Sequence, residues 1–163
     1  MNSGFCLWDV IGSCQRPGSL DQDISNEFPN DIRGFCRDNR SIRRIVFASG
    51  GTSSKLFVKH FKDWLGEGQL VAGNDKASQN AFSRAIERAR QQNDREKEQN
   101  TDNGNRDDKL MITLITALSV SPAAATYTYQ EKRDFWDEQV FKPGLKDHQE
   151  WKNTTTNSKN LTQ

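Results

Sequence analysis

Two short apolar runs constrain the fold of this chain most: Ile45-Val46-Phe47-Ala48 and Leu110-Met111-Ile112-Thr113-Leu114-Ile115. Each is continuous rather than alternating and has the length of a strand, the pattern of a strand covered on both faces. After the first run, Leu56, Phe57, His60, Phe61, Trp64 and Leu65 recur at helical spacing; after the second, Phe135, Trp136 and Val140 do so. A third run, Phe5-Cys6-Leu7-Trp8, reads as a further strand that leaves through Asp9 into a long loop marked by Pro17-Gly18 and Pro29-Asn30. Strands alternating with helices predict an α/β fold, a three-layer α/β/α arrangement on a short parallel sheet. The strand exits at Asp9, at Ser49 to Thr52 and at Ser119 to Pro122 then share one rim, where ligands bind in such sheets. Asp9 reads either as such a ligand-reading group or as the cap of the next turn.

Turn and cap residues divide the rest. Ser19-Leu20-Asp21-Gln22 has the form of a capping box and predicts a short helical turn within the loop. Asn30 predicts an N-cap, with Asp31 in the first turn of a helix to about Asn39. Thr52 or Ser53 predicts the cap of the helix after the Gly50-Gly51 turn, which lacks the ending of a Walker motif. His60 beside that helix's apolar stripe reads as a boundary or satisfied core histidine. Residues 66–108 read as a polar insertion holding one helix, with Ala77, Ala81, Phe82, Ala85, Ile86 and Ala89 on its apolar face. Thr128-Tyr129-Gln130-Glu131 is a second capping box, and its helix is expected to stop near Lys142-Pro143-Gly144. The expected organisation is one domain over residues 1–144 and a disordered tail over 145–163, anchored only by Trp151.

The formal charge of +1 argues against a chain held on nucleic acid by gross charge, so any such contact needs a local patch. Arg40, Arg43 and Arg44 with Lys55, Lys59 and Lys62 form such a patch, or are equally well explained as solvated surface. Cys6, Cys14 and Cys36 are odd in number and lack CxxC spacing, so neither a disulfide framework nor a metal site is expected. No cofactor is indicated. No apolar run reaches the length of a membrane span and no secretory leader is evident; the chain reads as intracellular and monomeric.

Three blocks, LWDVIGSCQRPGSLDQDI with FPNDI, IRRIVFASGGTSSKLF, and SVSPAAATYTYQEKRDFW, resemble the uracil-DNA glycosylase superfamily, nearest its hypoxanthine-DNA glycosylase and mismatch-specific branches. The resemblance covers roughly residues 4–65 and 109–141. It implies a glycosylase that flips a deaminated base, hypoxanthine or uracil, out of double-stranded DNA and hydrolyses its N-glycosidic bond. Asp9 then matches the base-reading position, and Ser49 and Gly50 a strand end that often carries Asn-Gly. Ser121, Pro122 and Ala123 match the segment that grips DNA, with Arg43 and Arg44 beside phosphate. The implied compartment is the nucleus, the mitochondrion or both.

The blocks also depart from the pattern. Ser119 stands where many members carry a His that stabilises the departing base, so no catalytic residue is assigned. Only Met1, Asn2 and Ser3 precede the first block, so the superfamily's central strand, its water-positioning loop and a base-stacking aromatic residue have no counterpart. The expectation is that Phe5 to Trp8 re-pairs with Arg44 to Ala48, or that the chain is part of a longer one, and that hydrolysis is impaired. The alternatives are an inactive DNA-binding or protein-interaction domain of the same fold, and an unrelated nucleotide-binding α/β domain suggested only by the Gly-Gly turn.

Overall fold

The structure is a computed structural model and describes residues 4–18, 24–97, 111–121 and 124–160. In chain order it contains β1 (Ile11–Gln15), β2 (Ser25–Pro29), α1 (Ile32–Asp38), β3 (Arg44–Phe47), α2 (Gly51–His60), α3 (Lys62–Gly66) and β4 (Leu70–Ala72). Then come α4 (Lys76–Ser78), a π turn (Gln79–Ser83), α5 (Arg84–Lys97), β5 (Ile112–Thr116), α6 (Tyr129–Phe135), a second π turn (Trp136–Phe141) and α7 (Lys142–Asn160). The fold is mixed α/β around a parallel three-stranded sheet of order β3-β5-β4, with Ile45 opposite Leu114 and Leu70 opposite Ile112.

β5 is central and buried on both faces, which is why its sequence is apolar without alternation. Ile112 and Leu114 join Phe47, Phe57, Trp64, Leu65, Leu70 and Phe82 in one core cluster. Its centre is aromatic: Phe47 meets Phe57 edge-on at 5.0 Å and Phe82 at 5.2 Å, and Phe57 stacks on Phe61 at 4.7 Å. α3 lies close against α5 because Gly66 has no side chain; a Cβ there would stand 2.7 Å from the Ala89 carbonyl oxygen. The second face of β3 looks onto the second π turn and α7, to which it is tied by an Arg44–Asp147 ion pair of 2.6 Å.

Several expectations are corrected. Phe5 to Trp8 forms no strand and pairs with nothing in the sheet; Phe5 packs singly on Phe141 and Trp8 on Phe35. The chain instead turns extended at Ile11 and pairs antiparallel with β2, a partner close enough in sequence to cost little loop-closure entropy. The helical turn expected at Ser19 to Gln22 lies outside the described residues. Asp31, not Asn30, caps α1, accepting from the Gly34 N–H at 2.8 Å, while the Asn30 amide donates to the Asp9 carbonyl. The stripe from Leu56 to Leu65 is two helices, broken at Phe61.

Residues 66–108 are no mere insertion: they supply β4 to the sheet and the helical run from Lys76 to Lys97 to its core. Nor does the chain unravel at Gly144. The Lys142 N–H reaches back five residues to the Asp137 carbonyl, so the missing N–H of Pro143 falls where the ladder changes register, and α7 continues to Asn160. Among the described residues no helix is long and apolar enough to cross a membrane.

The hairpin is held to the far end of α2 by charge. Glu27 of β2 pairs with Lys59, and its carboxylate lies 3.7 Å from His60 Nε2. That nitrogen is shut off from water without a hydrogen bond, so His60 is a boundary residue but not a satisfied one. The hydrogen bond from Lys59 holds the Glu27 carboxyl below its ordinary 4.5. A depressed folded value means the pair stabilises fully above pH 4.5 and is lost as pH falls through the lower folded value. Urea unfolding of wild type and Glu27→Gln should therefore differ at neutral pH in favour of wild type, with the gap closing below pH 4.5; a gap independent of pH would contradict this.

Candidate functional site at the carboxyl rim of the parallel sheet

The three parallel strands end in small residues that are tied to one another. After β3 the chain turns at Gly50, whose N–H donates to the Phe47 carbonyl and whose φ of 69° and ψ of −134° suit glycine. The Gly50 carbonyl accepts from the Ser53 hydroxyl at 3.2 Å and the Ser54 hydroxyl at 3.1 Å. Ser54 Oγ also lies 2.9 Å from Thr116 Oγ1 at the end of β5. The Thr116 N–H donates to Ser78 Oγ at 2.8 Å, and Ser78 Oγ donates in turn to Asp75, the N-cap of α4. After β4, the Gly73 N–H donates to the Leu114 carbonyl at 2.8 Å and its own carbonyl accepts from the Gln79 amide.

Beyond β5 the segment Ala117-Leu118-Ser119 closes over Gly50. A Cβ on Gly50 would stand 3.4 Å from the Ala117 carbonyl oxygen and 3.9 Å from Ser119 Cβ. α6 and the π turn after it fix the outer side: the Trp136 indole donates to the Leu118 carbonyl at 2.9 Å, and Lys132 Nζ to the Ser121 carbonyl at 3.2 Å. α6 itself starts on the complete capping box expected at Thr128, whose hydrogen bonds hold the Glu131 carboxyl below its ordinary range.

β3 hands the chain to α2 on the aromatic core face, and β5 hands it toward Trp136 and Val140 on the other. A crevice opens between neighbouring parallel strands whose connections leave on opposite faces. Here the strand ends concerned are Ser49-Gly50 and Ser119, with Ser49 exposed and Gly50 buried beneath Ala117 and Ser119. α2 begins at this crevice on Gly50 with no side-chain cap, not on Thr52 or Ser53 as the sequence suggests. Its first-turn N–H groups present the positive end of the helix.

The site residues read from the sequence divide accordingly. Ser49, Gly50 and Ser119 come together, and Ser121 follows, its N–H donating to Ser119 Oγ at 3.3 Å. Pro122 and Ala123 lie outside the described residues. Asp9 is exposed at the open end of the hairpin beside Asn30 and α1, and those elements bond to the far end of α2 and to α3. No hydrogen bond or ion pair among the described residues joins Asp9 to the rim. Arg43 and Arg44 stand at the amino end of β3: Arg44 is paired with Asp147, and Arg43 donates to the Arg40 and Ile42 carbonyls. The sequence reading missed Ser54, Asp75, Ser78 and Thr116.

The crevice offers hydroxyls and backbone donors to an acceptor-rich group. No hydrogen bond or ion pair among the described residues joins a carboxylate or imidazole to Ser49, Gly50 or Ser119. Among the described residues no group of three His, Cys, Asp or Glu side chains is arranged to hold a metal. Comparison with protein-family models, with characterised proteins and with solved structures finds no match.

The positive φ of Gly50 makes the turn testable. Gly50→Ala should cost about 1–3 kcal/mol in chemical denaturation, whereas Ser49→Ala should stay within about 0.5 kcal/mol of wild type. A Gly50→Ala protein as stable as wild type would show that the turn is not held as described.

Proposed function

We propose that this chain is a DNA-binding domain of the uracil-DNA glycosylase kind, which accepts the extruded deaminated base of a hypoxanthine- or uracil-containing duplex at the β3–β5 crevice. What supports the reading is the meeting of Ser49-Gly50 with Ser119 at neighbouring parallel strand ends, two of the three strand ends on which the family resemblance rests. An extruded base offers carbonyl acceptors to hydroxyls and to the uncapped first turn of α2. N-glycosidic hydrolysis is the reaction of that lineage, and in this chain it is slow. The bond breaks to a cation-like sugar and an anionic base, which needs a placed electrophile and a positioned water. Ser119 supplies only a neutral hydroxyl, and the backbone carbonyl of Asp9 is bonded to Asn30 beside the hairpin.

Fluorescence anisotropy on short duplexes that are undamaged, inosine-containing, uracil-containing or abasic tests this, with base release followed in parallel. The expected result is about tenfold tighter binding to lesion duplexes, falling as salt rises, with little base release. Ser119→Trp, which fills the crevice, should remove the lesion preference and leave the salt-dependent background. Equal affinity for all duplexes, or none for any, would overturn the reading; rapid base release would overturn the assignment of slow hydrolysis.

A further inference from the structure

The second face of β3 borders a cleft of about 560 Å³ that the crevice does not use. Its lining includes the aromatic rings of Phe5, Phe35, Trp136, Phe141 and Trp151. Phe141 lies 5.8 Å from Phe5 and 5.7 Å from Trp136, so an aromatic surface is already assembled around it. Gly144 leaves room for the Phe5 ring, which a Cβ there would meet at 2.9 Å.

The sheet's outermost strand borders the cleft. β3 is outermost in the sheet, and its carbonyls at Arg43 and Phe47 accept from Thr113 and Ala117 of the β5 side. In a parallel ladder the odd-numbered residues of β3 therefore face β5, and the N–H and C=O groups of Arg44 and Val46 face outward. No strand among the described residues pairs with that edge. Arg43, Arg44, Val46 and Ala48 line the cleft on the β3 side. A row of alternating donors and acceptors between aromatic walls matches the edge of a flat heterocycle. Two further residues shape the cleft. His148 also lines it and stacks on Trp151 at 6.3 Å, extending its aromatic surface. Arg43 adds a positive charge at the mouth, beyond the neutral Arg44–Asp147 pair.

We propose that this cleft binds a flat heteroaromatic small molecule carrying an anionic arm, the ring held between Phe5 and Trp136 against the β3 edge and the arm beside Arg43. The volume lies in the range of small-molecule sites, and the outward-facing edge is only two to three residues long, too short to register an extended peptide firmly. The site is separate from the crevice and its occupation does not depend on DNA.

Calorimetric titration of the full chain with adenosine monophosphate, adenosine and ribose 5-phosphate tests the proposal, with tryptophan fluorescence as a second readout. Adenosine monophosphate should bind saturably, adenosine about tenfold more weakly, and ribose 5-phosphate not measurably. Val46→Trp, which fills the cleft, should abolish binding; Arg43→Ala, which leaves the cleft open, should bring the nucleotide to the affinity of the nucleoside. Ser119→Trp should change nothing, which separates this site from the crevice. Failure of both ring compounds to saturate, equal binding of ribose 5-phosphate, or binding indifferent to Arg43→Ala would each overturn the proposal. So would saturation by an extended acidic tetrapeptide in place of the ring compounds.

Discussion

Thr116 ends a strand that is covered on both faces, and its amide and hydroxyl are both used there: the N–H on Ser78, the hydroxyl with Ser54. Ser54 and Ser78 are as buried as the phenylalanines around them. Each such bond contributes only about 0.5–1.5 kcal/mol, but a buried polar group left without its partner costs about 1–3 kcal/mol. The three side chains therefore stand or fall together. Because Ser54 lies in the first turn of α2 and Ser78 ends α4, the knot fixes both helices to the same strand end.

The rim follows from that fixation. With Ser54 bonded to both Thr116 and the Gly50 carbonyl, the turn after β3 is pulled against Ala117 and Ser119. The Trp136 bond to Leu118 then holds the outer lip from the opposite face. The crevice is thus a consequence of how β5 is anchored, while the cleft along β3 follows from the sheet ending there. The hairpin and Asp9 depend on neither; they hang on the Glu27 charge pair and on α1.

Much of the scaffold was legible. β5 is a continuous apolar run because a parallel strand buried on both faces needs no alternation, β3 shares the pattern although it is only partly covered, and α6 announces itself by its capping box. β4 was not legible: Leu70-Val71-Ala72 is three residues long in a polar stretch and becomes a strand only by pairing with β5. β1 and β2 carry Gly, Ser, Asn and Pro and owe their pairing to proximity in the chain. α7 is polar enough to read as a tail, and its continuity depends on a register change that no periodicity reveals. At the site, Ser49, Gly50 and Ser119 were readable as small residues after apolar runs. Ser54, Ser78 and Thr116 were not, because hydroxyls that satisfy only one another look like surface residues until the fold brings them together. The apolar run before Asp9 forms no strand, because its aromatic side chains find separate partners on Phe35 and Phe141.

Backbone amide hydrogen exchange, resolved by residue, bears most directly on the claim that the anchoring of β5 organises the structure. The Thr116 amide, which donates to a buried side chain rather than to a strand, should exchange as slowly as the amides of Leu114 and Ile115 and open only with global unfolding, while β1 and β2 exchange faster. A Thr116 amide that exchanges as fast as those of the hairpin would contradict the account.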